Sequence, residues 1–241
     1  MNAFIFAAGL GTRLKPLTDT MPKALVPVAG KALLTHVVEK LKAAGCKKIV
    51  INIHHFGDMI VDYVKNQNNF GIDIIFSDER QMLLETGGAI KHAVELLGDE
   101  PFLIHNVDIL SNVDIQALWN EHLSSGSAAT LLVSKRSSSR ALLFNEKGNL
   151  TAWTNKTTGE IKTPYESVDI TSLEELAFSG IHVFSPSLFK YFGEYPEKFS
   201  IIDFYLNTCK AEKIKAFTQE GLQLLDVGKL DSLEKAEEFV K

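Results

Sequence analysis

Cysteine is scarce in this sequence of 241 residues, which holds only Cys46 and Cys209. Two thiols so placed make neither a metal-ligand spacing nor a disulfide framework, and they read as free thiols in a reducing compartment. Long apolar runs are missing too: no segment approaches the roughly 20 apolar residues needed to cross a bilayer. The apolar start of the chain is short, is broken by glycines and is followed rather than preceded by positive charge, which does not fit an export signal. A cytoplasmic setting is therefore expected. There is also no excess of positive charge. With 25 Lys and Arg against 30 Asp and Glu, the net charge is -5, so neither nucleic acid nor an anionic membrane is expected as a partner. Repeats and low-complexity tracts are absent, and 45% hydrophobic with 23% charged residues suits an ordered globular chain. A polyanion must meet a local basic site. Arg13, Lys15, Lys23 and Lys31 supply one, with Asp19 the single acidic residue among them.

The first half alternates strand and helix signals. Ala3 to Ala8 is a short apolar run ending at glycines, as in a buried strand. Leu34, Val37, Val38, Leu41 and Ala44 recur at helical spacing, and Gly45 suits the end of that helix. Strands are expected at Lys48 to Ile53, Ile72 to Phe76, Phe102 to His105 and Ala128 to Ser134, with helical patterns between them. Such alternation predicts an α/β fold with a mostly parallel sheet flanked by helices, and ligands outside the carboxyl ends of its strands. The second half is richer in β-structure. A hairpin is expected over Ala141 to Thr154, then a polar loop or flap from Asn155 to Glu175, a buried strand at Phe178 to Phe184 and short strands at Ile214 to Phe217 and Leu222 to Leu225. A final helix should begin at Asp231.

Gly9-Leu10-Gly11-Thr12-Arg13 follows the first buried strand. Glycines there let backbone N–H groups approach phosphate oxygens, and Arg13 adds a planar donor. A tight turn needing glycine only for its geometry is the plainer alternative. A dinucleotide fingerprint requires a third glycine where Leu14 stands, which counts against a nicotinamide dehydrogenase. A P-loop would need glycine at Leu25 and a hydroxyl at Ala32, and the companions of a protein kinase are missing.

The loop continues through Pro16-Leu17-Thr18 to Pro22-Lys23. In G-x-G-T-R, then P-L-T, then P-K, the chain resembles the sugar-1-phosphate nucleotidyltransferase family. The resemblance implies a Rossmann-like sheet of the nucleotide-diphospho-sugar transferase type carrying a small β-rich sugar-binding lobe. Residues 1–241 would form one catalytic domain, with a nucleotide-binding half over 1–135 and the sugar lobe and closing segment over 136–241. It also implies that Ala8, Gly9, Leu10, Gly11, Thr12, Arg13, Lys23 and Asn106 bind the nucleotide.

Asp108, at the end of an apolar strand, and Asp226, in Asp226-Val227-Gly228, fall where the family carries the ligands of Mg²⁺. Taken singly, either aspartate reads as a cap or turn residue. The resemblance further places a sugar-phosphate lysine at Lys156, with Lys162 as its rival and a solvated loop lysine as the alternative to both. Gly180, in Phe178-Ser179-Gly180-Ile181, would let the sugar approach the backbone. Leu84-Glu85-Thr86-Gly87-Gly88-Ala89 occupies the base-recognition segment, with Glu85 and Gly88 as nucleotide contacts. Its wording is similar to N-acetylmuramate-1-phosphate uridylyltransferases and some mannose-1-phosphate guanylyltransferases. Glu85 could instead cap the helix that follows.

The implied reaction is attack of a sugar 1-phosphate oxygen on the α-phosphorus of a nucleoside triphosphate, releasing pyrophosphate, with Arg13, Lys23 and Asp108 as catalytic residues. A phosphate dianion is already a nucleophile, which explains the shortage of candidate bases. The histidines read as core or surface residues. A non-catalytic nucleotide-sugar-binding regulatory protein on the same fold is the alternative, although such a protein need not keep both aspartates and Lys23. Nucleobase, sugar and oligomeric state stay open.

Overall fold

The structure is a computed structural model that describes residues 1–240. In chain order the first half forms β1 (Asn2–Phe6), β2 (Pro27–Val28), β3 (Lys31–Ala32), α1 (Leu33–Ala43), β4 (Lys48–Ile53), α2 (Gly57–Asn66), β5 (Asp73–Asp78), α3 (Glu85–His92), α4 (Val94–Leu97), β6 (Phe102–Asn106), β7 (Ile109–Ser111), α5 (Ile115–Ser125) and β8 (Ala129–Ser134). The second half adds β9 (Arg140–Phe144), β10 (Leu150–Asn155), β11 (Glu160–Lys162), β12 (Glu174–Phe184), α6 (Ile201–Thr208), β13 (Ile214–Phe217), β14 (Leu224–Asp226) and α7 (Asp231–Phe239).

Ten strands make the main sheet, in the order β11-β10-β9-β12-β6-β1-β4-β5, with β8 on β12 and β13 on β8. The strands β6, β1, β4 and β5 run parallel, as the alternation of strand and helix predicts. Strand β12 runs antiparallel to β6, β8 and β9, and so joins the parallel half to the meander of β9, β10 and β11.

Successive residues of a strand point to opposite faces, and here both faces are covered. Phe4, Val50, Phe102 and Ile104 enter one core with Tyr205, Phe204 and Phe184. Their neighbours Ala3, Ile5, Ile49, Ile51 and Leu103 enter another, with Leu34, Val38 and Leu41 of α1. The apolar runs without alternation are thus strands buried on both sides. A third, smaller core gathers Leu14, Val28, Leu33, Leu110, Val227 and Ala236. It ties the loop after β1 to β7, which follows Asp108, and to the segment after β14, whose last residue is Asp226.

One expectation needs correction. The polar stretch from Asn155 to Glu175 is not a loop throughout: Glu160–Lys162 pairs with Trp153, Thr154 and Asn155 as a third antiparallel strand. A strand of three exposed residues carries no hydrophobic period to betray it. The pairing of β7 with β14 was equally silent in the sequence.

Candidate active site

Strand β1 delivers its chain into the glycine loop, and the loop turns back at Gly11. That residue has φ +63, and a Cβ there would stand 2.8 Å from Thr18 Cγ2 and 3.0 Å from Lys23 Cβ. Only glycine takes this conformation and this crowding freely. Thr18 Oγ1 donates to the Gly11 carbonyl at 2.8 Å, so the Pro16-Leu17-Thr18 segment braces the loop and brings Lys23 under it.

A pocket of about 250 Å³ opens at the carboxyl ends of β1 and β6, and its wall includes Ala8, Gly9, Lys23, Glu85, Asn106 and Asp108. Six of the expected residues therefore meet in one cleft, where an open α/β sheet binds ligands. Inside it the Lys23 ammonium forms an ion pair with the Asp108 carboxylate, the side chains being 10% and 18% exposed. Gly9 has no atom within 4 Å of where a Cβ would lie, which leaves its surroundings free for a ligand.

Two contributors were not anticipated. Asn52 of β4 accepts at Oδ1 from the N–H groups of Ala7 (2.7 Å) and Ala8 (3.2 Å). Its Nδ2 donates to Glu79 Oε1 at 2.8 Å. The Ala8 amide is thereby engaged by the protein. Glu79 is buried and its pKa is raised, chiefly by desolvation. Both side chains line the pocket. A polar Asn inside the apolar Lys48–Ile53 run was the available signal.

Leu10, Gly11, Thr12 and Arg13 lie outside that lining, and all but Gly11 are exposed. Arg13 reaches towards the second aspartate segment: a Cβ on Gly228 would stand 2.7 Å from Arg13 Nη2 and 2.5 Å from Asp226 Oδ1. The segment itself is fixed beside the first aspartate, because Val227 N–H donates to the Asp108 carbonyl at 2.8 Å. Residues far apart in sequence are thus held together by the β7–β14 pairing and the third core.

A second cavity, of about 740 Å³, adjoins the first. Its floor is one face of the meander. Arg140 pairs with Asn155, Leu142 with Trp153, Trp153 with Lys162 and Asn155 with Glu160, so all six present side chains to the same side. Lys162 Nζ donates to Asp203 Oδ1 of α6 at 3.1 Å and lies 5.1 Å from the Trp153 ring centroid. Asp226 and Glu85 complete the rim. Lys156 is one residue out of phase with Asn155 and pairs instead with Glu175 at 2.5 Å, away from the cavity.

Gly180 and Gly88 have packing duties of their own. With φ +78, Gly180 makes room for Asn106, whose Nδ2 would lie 2.5 Å from an added Cβ. At Gly88 a Cβ would meet the Glu197 carbonyl oxygen at 2.0 Å. The N–H groups of Gly87 and Gly88 both donate to the Phe199 carbonyl, at 2.9 and 3.2 Å. No side-chain hydrogen bond caps α3, so Glu85 is not its cap.

His105 lies beneath the site, fully buried, with its pKa lowered to about 4 by desolvation. Its Nδ1 faces the Asn106 carbonyl at 2.8 Å. It is a neutral core residue, as expected of a strand histidine.

A mostly parallel α/β sheet thus carries a glycine loop, a lysine–aspartate pair and a second aspartate at its carboxyl edge, the place where open sheets of this kind bind ligands. A family model for nucleotidyl transferases matches residues 2–241, and the chain belongs to that family. It is 45% identical over 122 residues to an N-acetylmuramate alpha-1-phosphate uridylyltransferase of Caulobacter vibrioides, covering 50% of this chain and 47% of the relative. It is 31% identical over 193 residues to a mannose-1-phosphate guanyltransferase of Yarrowia lipolytica, covering 78% of this chain and 50% of the relative. These matches span about half the length of the curated relatives. HddC from Yersinia pseudotuberculosis, solved in complex with GMP-PN, superposes over 100% of this chain and 99% of its own with a TM-score of 0.77 and 25% identity.

Proposed function

We propose that the chain transfers a nucleotidyl group from a nucleoside triphosphate to a sugar 1-phosphate, giving a nucleoside diphosphate sugar and pyrophosphate. The observation that carries this reading is the Lys23–Asp108 pair in one cleft with the glycine loop, adjoined by a cavity floored with Trp153 and Lys162. In the reaction a sugar-phosphate oxygen bonds to the α-phosphorus while the bond to the β-phosphate bridging oxygen breaks. The electron pair leaves with pyrophosphate. Lys23, and the exposed Arg13, neutralise the growing charge on the leaving group, and the cleft walls hold the reactants in line. No general base is required, which agrees with a site whose nearest histidine is buried and neutral at physiological pH.

The donor set suits Mg²⁺. Asp108, in the turn before β7, and Asp226, which pairs with Ile109 at the end of β14, offer hard carboxylate oxygens, and Gly228 keeps the space beside Asp226 free of a side chain. Among the described residues no third metal-binding side chain joins them. Mg²⁺ keeps several waters and binds substrate phosphates, so two protein carboxylates are a usual complement. When bound, the ion supplies charge neutralisation for the phosphates. Lys23 balances the charge of Asp108.

Lys162 is the residue we assign to the sugar phosphate, with Trp153 and Phe178 as apolar surface for the sugar ring. Lys156 faces the other side of the sheet. Gly180 serves the seat of Asn106. The substrate pairs we favour are UTP with N-acetylmuramate 1-phosphate and GTP with mannose 1-phosphate, on the likeness to relatives so named. Two buried free thiols agree with a cytoplasmic setting. The test is pyrophosphate release from UTP, GTP, CTP and dTTP against several sugar 1-phosphates, with and without Mg²⁺. Nucleotide binding with no pyrophosphate from any pair would overturn the transfer reaction in favour of a regulatory binding protein.

A further inference from the structure

Among the described residues, Glu85 alone lines both cavities. It does so with φ +61, a left-handed conformation that glycine takes freely and glutamate does not. The surrounding chain imposes that angle. Phe199 N–H donates to the Leu84 carbonyl at 3.3 Å, and Gly87 N–H returns to the Phe199 carbonyl at 2.9 Å. Ile201 N–H donates to Thr86 Oγ1 at 3.0 Å. Both neighbours of residue 85 are therefore fastened to the segment before α6.

The carboxylate contributes little to this structure. It makes no cap for α3. Its ion-pair partner is Lys198 at 3.8 Å, with both side chains about half exposed, a contact that solvent screens. A strained backbone carrying a side chain that the fold does not use points to a ligand.

From this placement, the geometry points to Glu85 as the residue that selects ribonucleotides, by accepting hydrogen bonds from the vicinal hydroxyls of the ribose. The inference rests on the nucleotidyl transfer proposed above. The first cavity is lined by Gly9, Lys23 and Asp108, which suit phosphates, and also by Glu79, Leu83 and Glu85. A ribose joins the base to the α-phosphate, and Glu85 is the lining carboxylate that opens on both cavities. A carboxylate has two acceptor oxygens, and acidic residues of dinucleotide folds read ribose hydroxyls in the same way. A 2′-deoxyribose would leave one oxygen without its donor.

The test compares kcat/KM for UTP and dUTP, and for GTP and dGTP, at a fixed sugar 1-phosphate. The native chain should favour the ribonucleotide by about tenfold or more, the scale of one hydrogen bond to a charged group. Glu85→Gly should bring the ratio close to one by slowing the ribonucleotide reaction, while melting no lower than the native chain, since glycine adopts this φ freely. Glu85→Gln should lie between the two. An unchanged ratio in Glu85→Gly overturns the inference. So does a raised KM for the sugar phosphate with the ratio intact, which would assign the carboxylate to the second cavity. Calorimetric binding of UTP against dUTP to both forms reads the same preference without turnover. Absence of pyrophosphate would then defeat the transfer reaction, and equal affinities would defeat the role of Glu85.

Discussion

The Lys23 ammonium rests on the Asp108 carboxylate in the cleft beside the glycine loop, and neither side chain is more than 18% exposed. Each charge is held by the other, so removing one exposes the partner's desolvation cost. Asp108→Asn is expected to lower kcat by roughly a thousandfold, the scale of losing an electrostatic contributor in a closed site. It should also destabilise the fold by about 1–3 kcal/mol, because Lys23 loses its counter-charge. Lys23→Met in the Asp108→Asn background should recover part of that stability and none of the activity. Steady-state pyrophosphate assays and urea melts check both; turnover near the native rate in Asp108→Asn would remove this aspartate from the chemistry.

Gly180 and Asn106 make a second pair whose geometry is restrictive, because a methyl at residue 180 would lie 2.5 Å from the Asn106 carboxamide nitrogen. Gly180→Ala is expected to cost about 1–3 kcal/mol for the crowding and roughly 1–2 kcal/mol more for φ +78. Adding Asn106→Ala should return the crowding part and leave the backbone part. A native urea midpoint for Gly180→Ala would show that the strand gives way without cost.

Much of this site was legible before any coordinate. The glycine loop and Asp108 follow buried strands, Lys23 lies in the continuation of that loop, and strand ends are where an α/β sheet gathers its ligands. What escaped the sequence depends on pairing between distant segments. Nothing in Leu224–Asp226 announces that it will lie on Ile109–Ser111. Glu160–Lys162 is too short and too exposed to carry a period. The choice between Lys156 and Lys162 hinged on that pairing, since a shift of one residue exchanges the faces of a sheet. Gly180 reads in the sequence as room for the sugar and Gly88 as a nucleotide contact, while in the fold the Asn106 side chain and the Glu197 carbonyl stand close to them. A glycine signals close approach without saying of what.

The two lysines give a direct contrast. Lys162 belongs to the cavity floor and is bridged to Asp203 at 3.1 Å, while Lys156 is paired with Glu175 on the opposite face. Lys162→Ala is expected to raise KM for the sugar phosphate by about tenfold or more, as for one hydrogen bond to a charged group, with KM for the triphosphate little changed. Lys156→Ala should leave both constants near native and cost at most about 1 kcal/mol, as for an exposed ion pair. The reverse pattern would exchange the assignments.

Three buried histidines set the response to acid. Burial lowers the pKa of His105 and His122 to about 4 and that of His182 to about 3. Unfolded histidine titrates near 6.5, so below that pH the unfolded chain binds protons that the fold excludes. Their stabilisation is complete above pH 6.5 and is lost as pH falls towards 4. Between pH 7 and 5 each histidine is expected to cost about 2 kcal/mol. Glu79 acts in the opposite sense, because its pKa is raised by burial and its protonated form is favoured in the fold. It is one group against three, and the net slope should follow the histidines. His182 tests the argument well, since neither ring nitrogen has a hydrogen-bond partner in the protein. His182→Phe removes the titration without breaking a bond and keeps an aromatic ring beside Phe178 and Tyr205. Urea melts at pH 7 and pH 5 should show a smaller acid loss in this variant, by about 2 kcal/mol. Equal losses in the two proteins would mean that His182 is not held neutral by the fold.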